Sequence, residues 1–168
     1  AVTSAIGTLR GPLHGGANEA ASAMLSQWKN PDVAEEELLK MLAQKQLVMG
    51  FGHAVYTESD PRNEVIKGWS KKLSIEVNDN YLYDVSERVE AVMRREKNLF
   101  ANADFYHAST YEFMKIPTKL FTPIFVLSRI TGWCAHIFEQ RENNRIIRPN
   151  ADYIGPNLQK VIPIEQRG

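Results

Sequence analysis

Two histidines and one aspartate of this chain lie in short, turn-like segments where their side chains can reach a ligand. His14 is followed by two glycines, His53 follows Gly50-Phe51-Gly52, and Asp104 follows Asn102-Ala103. Imidazole and carboxylate groups exchange protons with substrates, and glycines let a ligand approach the backbone closely. The three segments therefore predict proton transfer beside a carbonyl group.

Two of these residues also have a structural interpretation. His14 can be a helix-entry residue whose ring bonds the backbone, and Asp104 can be the N-cap of a helix over 105–113. Capping lowers the pKa of an aspartate and weakens it as a base, whereas an apolar setting raises that pKa. A histidine at a helix N-terminus instead stays neutral and can donate a hydrogen bond to a developing enolate. Local sequence leaves both interpretations open.

Three arginines are candidates for binding the carboxylates of a small anion. Arg62 comes a few residues after His53, so both side chains can flank one loop. Arg129 lies in an otherwise apolar stretch, and the residues three and four positions away offer it no carboxylate. An unpaired guanidinium in a buried helix is costly, so a ligand carboxylate is the expected partner. Arg148 makes a similar, weaker case in the apolar segment 146–149.

The other polar candidates favour structural roles. His107 and His136 have neither a loop glycine nor a basic cluster beside them, and Cys134 is a small hydrophobic residue in an apolar helix. A bare Gly-x-Gly without a downstream acid does not indicate a dinucleotide fold. No spacing of Cys, His, Asp and Glu is typical of a zinc or calcium site, so the sequence predicts no metal.

Composition argues against several classes of partner. Lys plus Arg and Asp plus Glu each number 20, so the formal net charge of the 168 residues is zero. This balance gives no overall attraction to nucleic acid or to an acidic membrane. No run approaches the roughly twenty apolar residues of a membrane span, and a single cysteine fits a reducing compartment. We expect a cytoplasmic protein without nucleic-acid or membrane partners.

Helices must position these residues. Apolar spacing predicts helices over 18–29, 33–44, 61–77, 83–99 and 105–113, and a central, buried helix over 119–141. A short strand pair is expected near 46–51 and 55–57. The first residues lack an initiator Met and already carry helical spacing, so the chain is interpreted as a fragment. The predicted fold class is all-α.

In combination, the motifs closely resemble those of the citrate synthase family. The resemblance covers about Thr8 to Pro156, and the tail Ile147-Arg148-Pro149-Asn150-Ala151-Asp152-Tyr153 looks like the 2-methylcitrate synthase branch. Members are almost all-α homodimers with a cleft between a large and a small domain. The resemblance implies that 1–13 end a large-domain helix, 14–118 form the small domain, and 119–168 form the large domain's C-terminal helix and tail.

The resemblance also implies catalytic roles. Asp104 would remove the α-proton of an acyl-CoA, and His14 would donate a hydrogen bond to the thioester oxygen. His53 would protonate the carbonyl of oxaloacetate as the new carbon–carbon bond forms. Hydrolysis of the resulting thioester would release CoA.

The binding residues follow in the same way. Arg62, Arg129 and Arg148 would bind carboxylates, with Arg148 reaching the neighbouring subunit's site in a homodimer. The backbone of Leu47-Val48-Met49-Gly50-Phe51 would contact CoA. No cofactor is implied beyond the CoA thioester, which is a substrate.

The implied reaction condenses propionyl-CoA, and also acetyl-CoA, with oxaloacetate to give 2-methylcitrate or citrate. Alternatives are an ordinary citrate synthase that uses acetyl-CoA, a citryl-CoA lyase module, and a non-catalytic helical association module. A further oxaloacetate-binding histidine of the family would lie upstream of this sequence. The isolated chain is therefore predicted to be inactive.

Overall fold

The computed structural model describes residues 1–10, 15–146 and 148–167. Regular structure in these ranges is helical, and the α-helices are α1 (Val2–Leu9), α2 (Ala17–Leu25), α3 (Pro31–Ala43), α4 (Pro61–Glu76), α5 (Tyr81–Lys97), α6 (Ala103–Phe113) and α7 (Phe121–Glu142). Two 3₁₀ turns, Thr118–Leu120 and Ile164–Gln166, accompany them. The prediction of an all-α fold is confirmed.

The predicted strand pair near 46–51 and 55–57 is wrong. Within the described ranges, β-pairing is limited to an isolated antiparallel bridge between Phe51 and Ala101. Gly50 and Gly52 have φ values of +88° and +72°, which interrupt an extended strand on both sides of Phe51. The segment therefore pairs with a distant part of the chain instead of folding back on its neighbour.

Polar side chains fix where several helices begin and end. Asn30 accepts a hydrogen bond from the N–H of Val33 at 2.9 Å, and a proline follows it at the first helical position. Asp60 and Pro61 start α4 with the same pair of signals. Helix α5 ends at Asn98, which adopts the left-handed conformation with φ +52°. These local signals explain why the helix bounds lie close to the predicted ones.

The core lies where helices α2 to α6 meet. Helix α6 packs against both α2 and α4, and α3 packs along α5. The apolar side chains that are completely buried there are Ala21, Leu25, Ala34, Leu38, Val85, Val89, Val92, Phe105, Tyr106 and Ala108. Burial of one large apolar side chain contributes about 1.5–3 kcal/mol to folding. Asp104 therefore lies on a helix whose inner face is held firmly in the core.

A polar network also joins α4 and α5 to α6. Glu90 Oε2 accepts hydrogen bonds from Lys67 Nζ at 2.6 Å and from the Tyr106 hydroxyl at 2.7 Å. Burial, followed by the negative charge of Glu90, raises the pKa of Tyr106. The phenol consequently stays protonated and keeps its donor role. This network fixes the helix that bears Arg62 against the helix that bears Asp104.

Helix α7 lies outside this core. Phe121, in its first turn, is the buried residue of the helix, whereas Leu127 and Phe138 are 72% and 68% exposed. The prediction of a central, buried helix is therefore wrong for the described chain. The helix has the composition of a core element, but its contacts with α1, α2 and the preceding 3₁₀ turn leave most of its apolar surface uncovered.

The first turn of α7 is tied to the start of α2 through Thr122. Its Oγ1 lies 2.5 Å from the carbonyl oxygen of Gly15 and 2.6 Å from Glu19 Oε1. Its N–H donates to the same Glu19 oxygen at 3.3 Å. These contacts fix the point where the long helix leaves the body of the molecule.

Length and composition also give α7 an unexpected property. Among the described residues, the segment Thr118–Glu142 is long and apolar enough to cross a membrane, by length and composition alone. An apolar run of that length was not expected from the sequence. A core helix of a soluble protein passes the same test, and Arg129 near the middle would cost about 2.5–3.5 kcal/mol in a bilayer. The composition therefore indicates a helix that requires apolar neighbours along most of its length.

Candidate active site

Two loops that are distant in sequence are joined by hydrogen bonds at the centre of the site. The N–H of Gly52 donates to the carbonyl of Phe100 at 2.8 Å, and the N–H of Asn102 donates to the carbonyl of Gly50 at 2.9 Å. The side-chain amide of Asn102 donates to the carbonyl of Gly52 at 2.9 Å. These bonds bring the segment before His53 to the start of helix α6, which carries Asp104.

Close packing explains the glycine at position 50. A Cβ atom built there would lie 2.8 Å from Cβ of Phe105, and φ at Gly50 is +88°. Side chains are disfavoured at such positive φ values, and the contact is shorter than real Cβ atoms show. The neighbouring Phe51 ring packs on Phe105 with centroids 4.6 Å apart. Glycine at this position lets the loop lie directly on the first turn of α6.

His53 is exposed and is oriented by its own loop. Its Nδ1 accepts hydrogen bonds from the N–H groups of Val55 and Tyr56 at 3.0 and 3.1 Å. A neutral imidazole that accepts at Nδ1 carries its proton on Nε2. Nε2 lies 3.4 Å from Nη2 of Arg62, and because both atoms then carry hydrogen, this approach is a contact between two donors and not a hydrogen bond. The loop therefore presents a proton donor at the edge where an anion can bind.

Asp104 lies one residue inside helix α6 and is half-buried. The N-cap of this helix is Asn102, whose Oδ1 accepts a hydrogen bond from the N–H of Asp104 at 3.0 Å. The alternative that Asp104 is itself the cap is therefore wrong. The cap function belongs to Asn102, and Asp104 lines the cleft described below.

Arg62 is held side-on by the buried carboxylate of Asp60. Nε donates to Asp60 Oδ1 at 2.9 Å, and Nη2 donates to Asp60 Oδ2 at 2.7 Å. The hydrogen bond from Arg62 is the main cause of the lowered pKa of Asp60, so this carboxylate stays ionised. The hydrogen bonds to Asp60, and then its negative charge, in turn raise the pKa of Arg62. Arg62 is still 48% exposed, which leaves part of its guanidinium facing solvent.

The residues converge on one cleft of about 1000 Å³. It is lined by four of the predicted site residues and by the whole loop predicted to contact CoA, namely His53, Arg62, Asp104, Arg129, Leu47, Val48, Met49, Gly50 and Phe51. The structure thus brings together residues that lie up to about eighty positions apart in the sequence. The cleft combines a proton donor, a carboxylate and two guanidinium groups.

Arg129 enters this cleft from helix α7. Its guanidinium carbon lies 4.8 Å from the centroid of the Phe125 ring, one turn earlier. It is exposed and forms no salt bridge to a carboxylate in the described part of the chain. The expected cost of an unpaired guanidinium in a buried helix therefore does not arise here. The expectation that no helical neighbour supplies a carboxylate agrees with these contacts.

His107 lines the same cleft, although its sequence context favours a structural role. It lies one turn after Asp104 on helix α6, and its ring stacks on Tyr111 with centroids 5.1 Å apart. Burial, and then the positive charge of Arg62, lower the pKa of His107 to about 4. The imidazole is therefore neutral near pH 7. The structural interpretation explains the stacking but does not account for the position of His107 in the cleft.

Among the described residues, Arg148, His136 and Cys134 do not line this cleft. His14 lies outside the residues that the structure describes. Arg148 is exposed in the irregular tail, and His136 is exposed on α7, 3.7 Å from Glu139. Cys134 is a half-buried free thiol on the same helix. Within the described ranges, no group of three or more His, Cys, Asp or Glu side chains could hold a metal ion.

Sequence reasoning did not assign site roles to Asp60, Asn102 and His107. Asp60 is visible in the sequence as a cap residue before Pro61, whereas the cap of α6 was considered at Asp104 instead of Asn102. The links of Asp60 and Asn102 to distant loops are long-range contacts. His107 could have been found from its position three residues after Asp104, because residues at that spacing share a helix face. The spacing of three residues from Asp104 is thus the sequence signal that identifies His107 as a candidate site residue.

The helices and this cleft define an all-α domain that gathers imidazole, carboxylate and guanidinium groups at one cleft. The chain belongs to the citrate synthase family, because the family described as citrate synthase, C-terminal domain, matches residues 1–150. The expectation drawn from the motifs is thereby confirmed at the level of the family.

Individual relatives agree with this assignment. The chain is 60% identical to 2-methylcitrate synthase of Shewanella oneidensis, over 99% of this chain and 44% of that protein. It is 49% identical to citrate synthase 2 of Bacillus subtilis, over 99% of this chain and 45% of that protein. The chain spans less than half the length of these curated relatives.

A solved structure supports the fold in detail. Citrate synthase from the archaeon Thermoplasma acidophilum, in a ternary complex with carboxymethyl coenzyme A and oxaloacetate, matches with a TM-score of 0.87. The sequences are 37% identical, and the match covers 99% of this chain and 46% of that chain. The arrangement of helices described above is therefore the arrangement found in the C-terminal part of a citrate synthase.

Proposed function

We propose that the protein to which this chain belongs condenses an acyl-CoA with oxaloacetate. Propionyl-CoA would give 2-methylcitrate, acetyl-CoA would give citrate, and both reactions would release CoA. The observation that carries the proposal is the convergence of His53, Arg62 and Asp104 on one cleft. A base, a proton donor and a carboxylate-binding group are the three parts that this condensation requires.

The steps that form the carbon–carbon bond each have a residue in the cleft. The carboxylate of Asp104 takes a proton from the α-carbon of the acyl group, and the resulting enol attacks the keto carbon of oxaloacetate. Nε2–H of His53 then donates its proton to the keto oxygen, which becomes a hydroxyl. Water finally cleaves the thioester, so that CoA leaves as the thiol. Arg62 and Arg129 bind the carboxylates of oxaloacetate throughout.

His14 would complete this chemistry by donating a hydrogen bond to the thioester oxygen as the enol forms. Its role follows from the family resemblance. The adjacent Gly15 is buried at the start of the segment that leads into α2, and Ala17 on that helix lines the cleft. His14 thus precedes a part of the chain that already reaches the site.

CoA is proposed to bind along Leu47-Val48-Met49-Gly50-Phe51. Every residue of this loop lines the cleft, and Leu47 is 72% exposed at its outer end. The related Thermoplasma acidophilum enzyme was solved with a CoA analogue and oxaloacetate together, which supports the same pair of ligand classes here. We propose no permanently bound cofactor and no metal.

Two features concern the protein beyond this chain. The uncovered apolar surface of α7 supports the proposal that further polypeptide packs on it in a larger domain. The exposed position of Arg148 outside its own chain's cleft is consistent with a role in the site of a second subunit of a homodimer. Both features would leave the isolated 168-residue chain inactive. We also expect the whole protein to be cytoplasmic.

The choice of acyl group rests on the relatives. Similarity to 2-methylcitrate synthase at 60% identity favours propionyl-CoA, and similarity to citrate synthase 2 at 49% identity supports acetyl-CoA as the alternative. One methylene group changes selectivity by only about 10- to 200-fold, so some activity with both thioesters is expected.

The decisive experiment measures CoA release by the full-length protein with oxaloacetate and either thioester. We expect a higher kcat/KM with propionyl-CoA, and 2-methylcitrate as the product identified by mass spectrometry. A strong preference for acetyl-CoA would make the protein a citrate synthase. No CoA release with either thioester would favour a protein without this activity. Full turnover by His14→Ala would favour the alternative in which this chain is a non-catalytic helical module of the protein.

A further inference from the structure

The carboxylate of Asp60 is completely buried, with 0% of its side chain exposed. A buried charge is costly unless it is paired and fully hydrogen-bonded. Oδ1 accepts from the N–H and Nε of Arg62 at 3.1 and 2.9 Å. Oδ2 accepts from Nη2 of Arg62 at 2.7 Å and from the N–H of Ala103 at 3.0 Å. Four donors therefore hold this carboxylate in one orientation.

Helix capping explains only one of these four contacts, the one from the N–H of Arg62. Asp79 precedes α5 and accepts one hydrogen bond from the N–H of Tyr81, two residues later, at 3.1 Å. Oδ1 of Asp60 makes the same contact at the start of α4. Oδ2, however, bonds the first residue of a different helix, 43 positions away. The contacts of Oδ2 need another explanation.

Oδ2 joins two parts of the proposed site. One of its partners is the guanidinium of Arg62. The other is the N–H of Ala103, the residue directly before Asp104. A carboxylate that contacts a guanidinium through Nε and Nη2 fixes the plane of that group. The other edge of the guanidinium is left for a ligand, and Nη2 lies beside Nε2 of His53 at 3.4 Å. A single buried oxygen thus relates Arg62 to Asp104.

We propose that Asp60 is a positioning residue that holds the ligand-binding edge of Arg62 at a fixed distance from Asp104. Asp60 itself does not touch the ligand, because it is buried behind Arg62. The keto acid that Arg62 binds is thereby held at a fixed distance from the enol that forms at Asp104. This inference rests on the proposed function, since it assigns the keto-acid carboxylate to Arg62.

The first test replaces Asp60 by Asn in the full-length protein. Asparagine is a good N-cap and is nearly isosteric, but it lacks the charge and one of the two acceptor oxygens. We expect the KM for oxaloacetate to rise about 10- to 100-fold, the range given by hydrogen bonds to charged groups. The KM for the acyl-CoA should change less than about twofold, because the CoA loop is untouched.

Asp79→Asn is the matched control. It makes the same chemical change in an aspartate that bonds the N–H two residues later, at a helix start outside the cleft. We expect oxaloacetate KM and kcat to stay at wild-type values. If Asp60→Asn also leaves the KM for oxaloacetate unchanged in a folded protein, the positioning role is wrong.

A double-mutant cycle separates positioning from general stability. Calorimetric titration with oxaloacetate would compare Asp60→Asn in the wild-type and Arg62→Leu backgrounds. If Asp60 acts through Arg62, its replacement weakens oxaloacetate binding in the first background and has no further effect in the second. Equal losses in both backgrounds would show an independent structural effect and overturn the proposal.

Asp60→Ser provides a second variant if Asp60→Asn does not fold, because serine also caps a helix N-terminus. Failure of both variants to fold would assign Asp60 a purely structural role and reject the proposal. The wild-type condensation rate tests the proposed function separately. An active wild type with an unaffected Asp60→Asn variant would reject this inference alone.

Discussion

The body formed by α2 to α6 and the helix α7 are both rich in apolar residues, yet they meet solvent very differently. In the body, apolar side chains such as Leu25 and Val89 are completely buried. In α7, Leu127 and Phe138 remain mostly exposed. The cleft lies between these regions and takes His53, Arg62 and Asp104 from the first and Arg129 from the second. A well-packed body thus carries the groups that we propose to transfer protons, while Arg129, proposed to bind a carboxylate, lies on a helix whose apolar surface is largely exposed in the described chain.

The comparison predicts that the largest loss of activity follows replacement of Asp104, the carboxylate that the body contributes to the cleft. Asp104→Asn in the full-length protein should lower kcat about 10²- to 10⁴-fold, because general base catalysis contributes that much. Its KM for oxaloacetate should change little, since the arginines remain. Steady-state kinetics of CoA release would measure both. Asp84→Asn, an exposed aspartate in the first turn of α5, should retain full activity. Equal kcat values for the two variants would exclude Asp104 as the base.

Truncation of apolar residues should separate the two regions in stability. Leu25→Ala should lower the free energy of unfolding by about 2–5 kcal/mol, because it leaves a cavity in the core. Leu127→Ala should change the stability of the isolated chain by less than about 0.5 kcal/mol, as for other exposed residues. In the full-length protein, Leu127→Ala should cost more than in the isolated chain. Urea unfolding of both variants checks this, and an equal cost in the two proteins would show that nothing covers α7.

A pair of glycines tests the contact between the two loops. Gly50→Ala should destabilise the chain by about 1–3 kcal/mol, because its positive φ and the contact with Phe105 both oppose a side chain. Gly68→Ala, in the interior of α4 with nothing within 4 Å of the added Cβ, should stabilise it by about 0.5–1 kcal/mol. Urea midpoints of the two variants should move in opposite directions. Shifts of the same sign would contradict the described loop geometry.

The last expected effect appears only when the pH is varied, and it concerns the stability of the body. Burial lowers the pKa of His107 from 6.5 to about 4, so between these pH values the unfolded state binds a proton that the folded state does not. Stability from this group is therefore fully present above pH 6.5 and decreases towards pH 4, by about 3 kcal/mol. His107→Phe should lose that component of the pH dependence in urea unfolding. His136→Phe, at an exposed site on α7, should keep the wild-type slope.

Much of the fold could be predicted because its signals are local. The Asp60-Pro61 start of α4 and the apolar spacing of α5 each depend on residues close together in the sequence. The predicted bounds of both helices agree with the structure to within a few residues. The burial of α7 was predicted wrongly from the same kind of signal. Composition shows that a helix needs apolar neighbours, but it does not show that the described chain supplies them.

The site was harder to predict, because its decisive contacts are long-range. Asn102 bonds Gly50 and Gly52 across about fifty positions, and Asp60 bonds Ala103 across 43. No local spacing encodes either contact. The residue types at His53, Arg62 and Asp104 nevertheless limited the chemistry to proton transfer beside an anion. The catalytic assignments of these residues, and that of His14, remain predictions for the kinetic experiments above.

The attachment of α7 through Thr122 has a mechanical consequence. Arg129 lies seven residues further along the helix, about 10 Å from that attachment at the α-helical rise per residue. Rotation of the helix about this pivot by about 10° would therefore move the backbone of Arg129 by about 2 Å. Such a displacement is large enough to make or break an ion contact. The position of the guanidinium of Arg129 in the cleft therefore depends on the angle at which the long helix leaves the body of the molecule.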